Sequence, residues 1–381
     1  MERVSAVVDL DAVRSNVAAL RACAGDAAVL AVVKADGYGH GMVPCARAAL
    51  AGGAGWLGVA FLEEALTLRA AAIDAPVLAW LLAPADDPAP AVAAKVDLGI
   101  NAPWALDAAA RAAQTAGTPA RVHLKADTGL GRAGATETEW PLLVEAAAKL
   151  QAEGLVEVVG VWSHLAYADE PGHPTIARQA TAYAAALEVA HGAGLRPAVR
   201  HLANSAATLA LPDTHYDLVR PGIAVYGLSP GPAVGAAREL GLRPAMTLEA
   251  TVALAKRVGA GQGVSYAHRY TTTAETTLAL VPLGYADGVP RNATNVGPVQ
   301  VAGRRFTVSG TVCMDQFVVD VGDHSVAEGD RVVLFGPGDD GAPTADDWAA
   351  ATGTINYEIV TRIGARVPRT YVGGPDVGGA A

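Results

Sequence analysis

Several charged and polar residues interrupt apolar runs in a way that calls for a chemical reason. Lys34 stands in LAVVKADGYGHG, Lys125 in RVHLKAD with Arg132 in the loop that follows, His164 in VVGVWSHL, Asn204 and Ser205 in AVRHLANS, and Arg220 in LVRPGIAVYG. Any one of them could be an ordinary polar residue at a strand end. A lysine and an arginine each stranded among apolar neighbours are harder to dismiss, because a charge taken out of water must be offset by a ligand or a partner. Together the residues predict a site for a small charged ligand.

The runs that carry them recur through the first 230 residues, each followed by an Ala/Leu-rich helical stretch. They are LAVVKA (30–35), WLGVAF (56–61), PVLAWLL (76–82), KVDLGI (95–100), RVHLKAD (121–127), VVGVWSHL (158–165), AVRHLANS (198–205) and LVRPGIAVYG (218–227). Parallel strands buried on both faces read as continuous apolar runs, so this alternation predicts an α/β fold, a (β/α)8 barrel over residues 10–237. Barrel active sites form at the C-terminal ends of the strands, where Lys34, Lys125, His164, Asn204, Ser205 and Arg220 fall. After residue 237 the texture changes to strand-like stretches joined by Gly, Pro and Asp turns, among them MTLEATVALAKRV, TTLALVPLGYA and DRVVLFG. Residues 238–381 are expected to form a mostly β domain. The opening strand within residues 1–9 is left over from the barrel count and is expected to join it.

Composition narrows the function classes. No stretch reaches the roughly 18 apolar residues of a membrane span, and charges at Glu2, Arg3, Asp9, Asp11 and Arg14 leave no apolar signal-peptide core. Cys23, Cys45 and Cys313 are far apart and odd in number, which supports neither a disulfide framework nor a CxxC metal site. A reducing cytoplasm is the expected location. The formal net charge of −10 argues against nucleic acid, which recruits basic surfaces. Any anionic ligand must be held by local groups. The abundant alanine raises helix propensity and carries no function.

The segments VVKADGYGHG, KADTGLGRAG, SHLAYADE, HLANSAATL, VRPGIAVYG, GVSYAHRY, GYADGVPR, CMDQF and TINYEIVTRIGARVPR, in that order, resemble the successive signatures of the alanine racemase family, from about residue 6 to residue 371. The resemblance implies pyridoxal 5'-phosphate (PLP) as cofactor, a homodimer with shared active sites, and interconversion of L- and D-alanine to supply D-alanine for peptidoglycan. Lys34 matches the lysine that binds PLP covalently, and Tyr38, Asn204, Ser205, Gly222, Ile223 and Tyr357 match cofactor-binding positions, all but Asn204 at the phosphate. Arg220 matches the arginine facing the pyridine nitrogen, with His164 expected to hydrogen-bond it from behind. A guanidinium cannot give up its proton, so it can only donate to that nitrogen. Arg132 matches a contact to the cofactor's phenolic oxygen and the substrate carboxylate. Lys125 matches a lysine often carbamylated, which would turn a repelling cation into an anionic partner.

Racemisation needs proton-transfer groups on both faces of one planar carbon, since a single base tends to return the proton to the side it left. Lys34 covers one face. Tyr266 matches the tyrosine that covers the other, which in the family comes from the partner subunit. Met314 and Asp315, also from the partner by resemblance, would line the substrate pocket, and Asp169, Tyr285 and Arg291 match its entrance. From composition alone Tyr266 would pack in an apolar β strand; the GVSY setting favours catalysis.

Some positions depart from the family pattern. Thr311 stands where an arginine is frequent, Ala267 replaces the usual glycine after the tyrosine, Leu165 and Tyr167 stand where phenylalanine and a small residue are usual, and AWLLAPADDP is atypical. These bear on side-chain selectivity, so a racemase of serine or of a broader set of amino acids is the first rival. A PLP-dependent decarboxylase shares the architecture and uses a cysteine of its β domain, yet Cys313 lies in GTVCMDQ and reads as a buried small residue. A PLP-carrier protein would be a single barrel, against which the C-terminal β segment speaks.

Overall fold

The computed structural model describes residues 3–374. Residues 1–2 of the expected opening strand and 375–381 of the expected second unit therefore lie outside the described residues. The chain starts with β1 (Val4–Asp9), and Asp9 ends it by accepting a hydrogen bond from Ala12 N–H at 3.0 Å, capping the helix Leu10–Cys23. That helix buries Leu10, Val13, Val17 and Leu20, spaced three and four apart, on one face.

The expected barrel follows. Its strands are β2 (Ala28–Val32), β3 (Trp56–Val59), β4 (Val77–Ala79), β5 (Asp97–Ile100), β6 (Ala120–Lys125), β7 (Val156–Trp162), β8 (Val199–His201) and β9 (Leu218–Val219), all parallel to their neighbours. The sheet runs from β8 in order down to β2 and on to β9, and the Asn204–Arg220 bridge joins its two ends. Most ladders stop before their apolar runs do, because the chain stays buried past its last paired residue, as at Val33. Lys34 and Arg220 thus lie just beyond β2 and β9 rather than within them, while Lys125 is the last residue of β6. The barrel interior is atypical: Asp97, His123 and His201 are all at most 1% exposed where branched aliphatics usually fill the layers.

The remainder is built on β10 (Met246–Thr251), β11 (Leu254–Val258), β12 (Gly263–Val264), β13 (Tyr270–Thr271), β14 (Thr276–Val281), β15 (Pro298–Val301), β16 (Arg304–Thr307), β17 (Phe317–Gly322), β18 (Arg331–Phe335) and β19 (Arg369–Val372). β1 pairs with this part, antiparallel to β10 and parallel to β19, within the sheet β16-β15-β18-β10-β1-β19. Two helices, Ala345–Thr352 and Asn356–Thr361, interrupt the β texture, and the second carries Tyr357 to the mouth of the barrel. Arg369 secures that approach by donating to four backbone carbonyls, those of Gly39, Ile363, Gly364 and Val367.

Candidate active site

A cavity of about 440 Å³ opens at the C-terminal ends of the barrel strands. Lys34, Tyr38, Lys125, Arg132 and His164 line it, as do Asn204, Ser205, Arg220, Gly222, Ile223 and Tyr357. The structure thus brings together all the residues that the sequence assigned to cofactor binding. The remaining walls are Val32, Ala35, Trp80, Trp162 and Thr361.

The chain leaves β2 in a left-handed turn. Ala35, Asp36, Gly37 and Tyr38 have φ of 52°, 52°, 62° and 53°, a conformation that costs an L-residue other than glycine roughly 1–2 kcal/mol. Surrounding bonds enforce it: Ala35 N–H donates to Glu64 Oε1 at 2.6 Å, Gly37 N–H to the Val33 carbonyl, and Met42 N–H to Asp36 Oδ1 at 2.8 Å. Glu64 is itself anchored, accepting from Ala60 and Phe61 N–H. The outcome is that Lys34 and Tyr38, one turn apart, both face the cavity. Burial, then the Arg132 cation, lowers the Lys34 pKa, with Glu64 opposing. An amine so placed is readily neutral and nucleophilic.

On the far side, Ser205 opens a short helix capped by Asn204, whose Oδ1 accepts from Ala207 N–H at 3.1 Å. Ser205 Oγ accepts from Gly222 N–H at 2.8 Å, which ties the seventh βα loop to the eighth. A Cβ on Gly222 would lie 2.3 Å from the Tyr38 hydroxyl, so only glycine lets that phenol approach the backbone. Burial raises the pKa of both Tyr38 and Tyr357, which keeps them protonated donors. The hydroxyls of Tyr38, Ser205 and Tyr357 line the same cavity and can cradle an anion without a basic residue.

The floor is cationic. Arg220 is buried, its Nη2 donating to the Ser163 and Leu202 carbonyls at 2.7 and 3.2 Å, and burial draws its pKa down to about 10. His164 Nδ1 lies 3.3 Å from Nη2, but His164 lines the cavity itself; the residue behind the guanidinium is His201, whose Nδ1 is 3.1 Å from Nη1. Burial and the four cations Arg220, Arg132, Lys125 and Lys34 hold His164 neutral. Lys125 Nζ lies 4.4 Å from the Trp162 ring and the Arg220 guanidinium 5.0 Å from the same ring. Burial, then Arg220 and Arg132, pushes Lys125 down to about 8. Trp80, Trp162 and His201 escaped the sequence reading, although Trp80 lies in the very AWLLAP segment that departs from pattern and Trp162 directly precedes SHL.

The other expected residues form a separate group. Tyr266 is not in a strand but in a one-turn 3-10 helix, 72% exposed, between Ser265 and Ala267, both at positive φ. Thr311 Oγ1 donates to the Tyr266 carbonyl at 2.8 Å, and Ser265 Oγ donates to the Thr311 carbonyl at 2.6 Å. Cys313 is half-buried rather than buried, with Sγ 3.2 Å from Ser265 Oγ. Tyr285 and Ala286 donate through N–H to the Cys313 and Met314 carbonyls, which sets Tyr285 beside Met314. Arg366 clamps this loop, paired to Asp315 at 2.8 Å and to the buried Asp287 at 3.2 Å. Tyr285 and Met314 are largely exposed and Arg291 stands nearby in chain order at an exposed turn. None of these lines the Lys34 cavity of the same chain. Asp169 stands apart on the barrel, near enough to Tyr357 to raise its pKa further.

Fold and site define a (β/α)8-barrel enzyme whose lysine-centred pocket is completed by a helix of an appended β domain. Residues 8–230 match the family model for the alanine racemase N-terminal domain and residues 245–371 that for the C-terminal domain. The chain is 68% identical over 370 residues to an alanine racemase of Frankia casuarinae, covering 97% of this chain and 96% of that one. Against an alanine racemase of Salinispora arenicola the identity is 63%, over 96% of this chain and 97% of the relative. The crystal structure of alanine racemase from the D-cycloserine producer Streptomyces lavendulae superposes with a TM-score of 0.98 at 56% identity, covering 99% of this chain and 98% of that one. The chain belongs to the alanine racemase family. Among its described residues no helix is long and apolar enough to cross a membrane.

Proposed function

We infer that the protein interconverts L-alanine and D-alanine in the cytoplasm, using PLP bound in the Lys34 cavity. The observation that carries the reading is a lysine of lowered pKa sharing one cavity with neutral hydroxyl donors suited to an anion. That donor set fits a phosphorylated aldehyde: Tyr38, Ser205, Gly222, Ile223 and Tyr357 would hold the phosphate, Asn204 supports Ser205, Lys34 would take the aldehyde, and Arg220 would face the ring nitrogen. When bound, the cofactor supplies an electrophilic carbon for the substrate amine and an electron sink for Cα.

The chain's own residues do the rest. Arg132 binds the substrate carboxylate, and Lys34 takes or returns the Cα proton on one face. Lys125, with an amine near neutrality and, among the described residues, no ion-pair partner, is placed to add carbon dioxide and release one proton. The carbamate would anchor Arg132. On the second face Tyr266 of the partner subunit moves the proton, with the partner's Met314 and Asp315 closing the substrate pocket. Asp169 and the partner's Tyr285 and Arg291 form the entrance. In this reading the functional unit is a homodimer, residues 10–237 hold the cofactor, and residues 238–381 present the second base. Chiral chromatography of L-alanine incubated with PLP-loaded protein should show D-alanine, and Lys34→Ala should abolish it; serine converted faster than alanine would replace the substrate assignment.

A further inference from the structure

The barrel interior carries a polar chain that starts at Arg220 and His201 and runs away from the cavity through two residues given no role above. Arg220 Nη1 lies 3.1 Å from His201 Nδ1, His201 Nε2 lies 2.8 Å from His123 Nδ1, and His123 Nε2 lies 3.1 Å from Asp97 Oδ2. All four residues are at most 5% exposed. Space for the chain is reserved: a Cβ on Gly160 would lie 2.3 Å from His123 Nδ1, and Trp162 stacks on His201 with planes 2° apart. Its outer end is held by Arg121, whose Nε donates to Asp97 Oδ1 at 2.7 Å while Nη1 reaches Glu157 at the surface.

The proton positions in this chain have one solution. A guanidinium only donates, so His201 Nδ1 must accept. A neutral His201 then carries its proton on Nε2 and donates to His123 Nδ1. His123 in turn carries its proton on Nε2 and donates to the carboxylate. Any other arrangement sets two donors face to face among buried groups, which costs about 1–3 kcal/mol per unmade bond. Every bond therefore points from the cavity toward Asp97.

We propose that Asp97 is a positioning residue for the reaction: through His123 and His201 it fixes the orientation of Arg220 at the cavity floor. The chain polarises the buried guanidinium toward one carboxylate, the nearest anionic terminus it has along a hydrogen-bonded path. It rests on the cofactor reading only in that Arg220 faces the ring nitrogen. Replacing Asp97 with asparagine keeps the shape and removes the charge. Arg121 donates to both Asp97 oxygens, Nε to Oδ1 at 2.7 Å and Nη2 to Oδ2 at 3.3 Å; with the shorter bond keeping the amide oxygen, the amide nitrogen faces His123, which reverses both imidazoles and sets His201 Nδ1–H against Arg220.

The test is the tautomer of each imidazole in PLP-loaded protein labelled with 15N-histidine, assigned through His123→Gln and His201→Gln. Wild type should show both rings protonated on Nε2 alone, and Asp97→Asn should shift His201 away from that form. Asp97→Asn should also lower kcat about 10–100-fold, the range that outer partners of metal-bound histidines carry, with KM within about twofold. The wild-type spectrum needs no variant to fold. His201 protonated on Nδ1, or an Asp97→Asn spectrum matching wild type, would overturn the proposal. Expected tautomers in a protein without racemase activity would leave the chain standing and remove the assigned reaction instead.

Discussion

The two halves of the proposed reaction are built differently. Around Lys34 most groups are buried or half-buried and line one cavity of one chain, with Arg220 and Ser205 each tied by more than one hydrogen bond. Around Tyr266 the side chains stand in solvent, with Tyr266 72% and Met314 52% exposed, and the fixed partners are backbone atoms. A base in water loses both its orientation and the low dielectric that makes proton transfer efficient. The barrel half is preorganised by the fold; in the proposed dimer the β half would become so when the partner covers it.

Mixing subunits breaks or sharpens this contrast most directly. Lys34→Ala and Tyr266→Phe chains are each inactive in the proposed scheme, yet random exchange gives half heterodimers, each with one of two sites intact. Activity should rise from background to about a quarter of wild type, as two inactive surfaces can assemble one complete site. Mixed chains that stay at background would place Tyr266 in cis.

Tyr266→Phe alone should separate the two faces. In deuterated water the variant should exchange the Cα hydrogen of D-alanine faster than that of L-alanine, by about 10²–10⁴-fold, the usual worth of a general base. Equal washout would assign Tyr266 to packing. On the barrel side, Gly222→Ala forces a Cβ to within 2.3 Å of the Tyr38 hydroxyl. A displaced phenol loses a hydrogen bond to a charged group, worth about 1.5–3 kcal/mol, so PLP affinity should fall about tenfold or more by fluorescence titration. The smallest effect belongs to the β side: Ala267 sits at φ 60°, and Ala267→Gly should relieve about 1 kcal/mol in denaturant titration without altering the Lys34 cavity.

Much of the barrel half was legible because a charge in an apolar run is a contradiction that only a site resolves. Lys34, Lys125 and Arg220 announce themselves in that way. His123 and His201 do not, since an imidazole on a buried strand looks like packing; yet His123 lies two residues before Lys125 and so shares its face. Asp97, a carboxylate inside KVDLGI, was the one signal in the chain that composition alone offered. On the β side the motif gave the residue but not its setting. Tyr266 occupies a turn with positive φ on both sides, a conformation imposed by Thr311 and Ser265 bonds that no local propensity encodes. The helix bearing Tyr357 was hidden within the strand-like texture, although Thr344 caps its predecessor.

The turn behind Lys34 has a stereochemical consequence. Ala35, at φ 52° and ψ 50°, adopts the mirror image of an ordinary helical residue, the backbone well that a D-amino acid prefers. Protein assembled by chemical ligation with D-alanine at position 35 should therefore fold with less strain than the ribosomal chain. Beside Lys34, the enzyme holds an L-alanine in the backbone shape native to D-alanine.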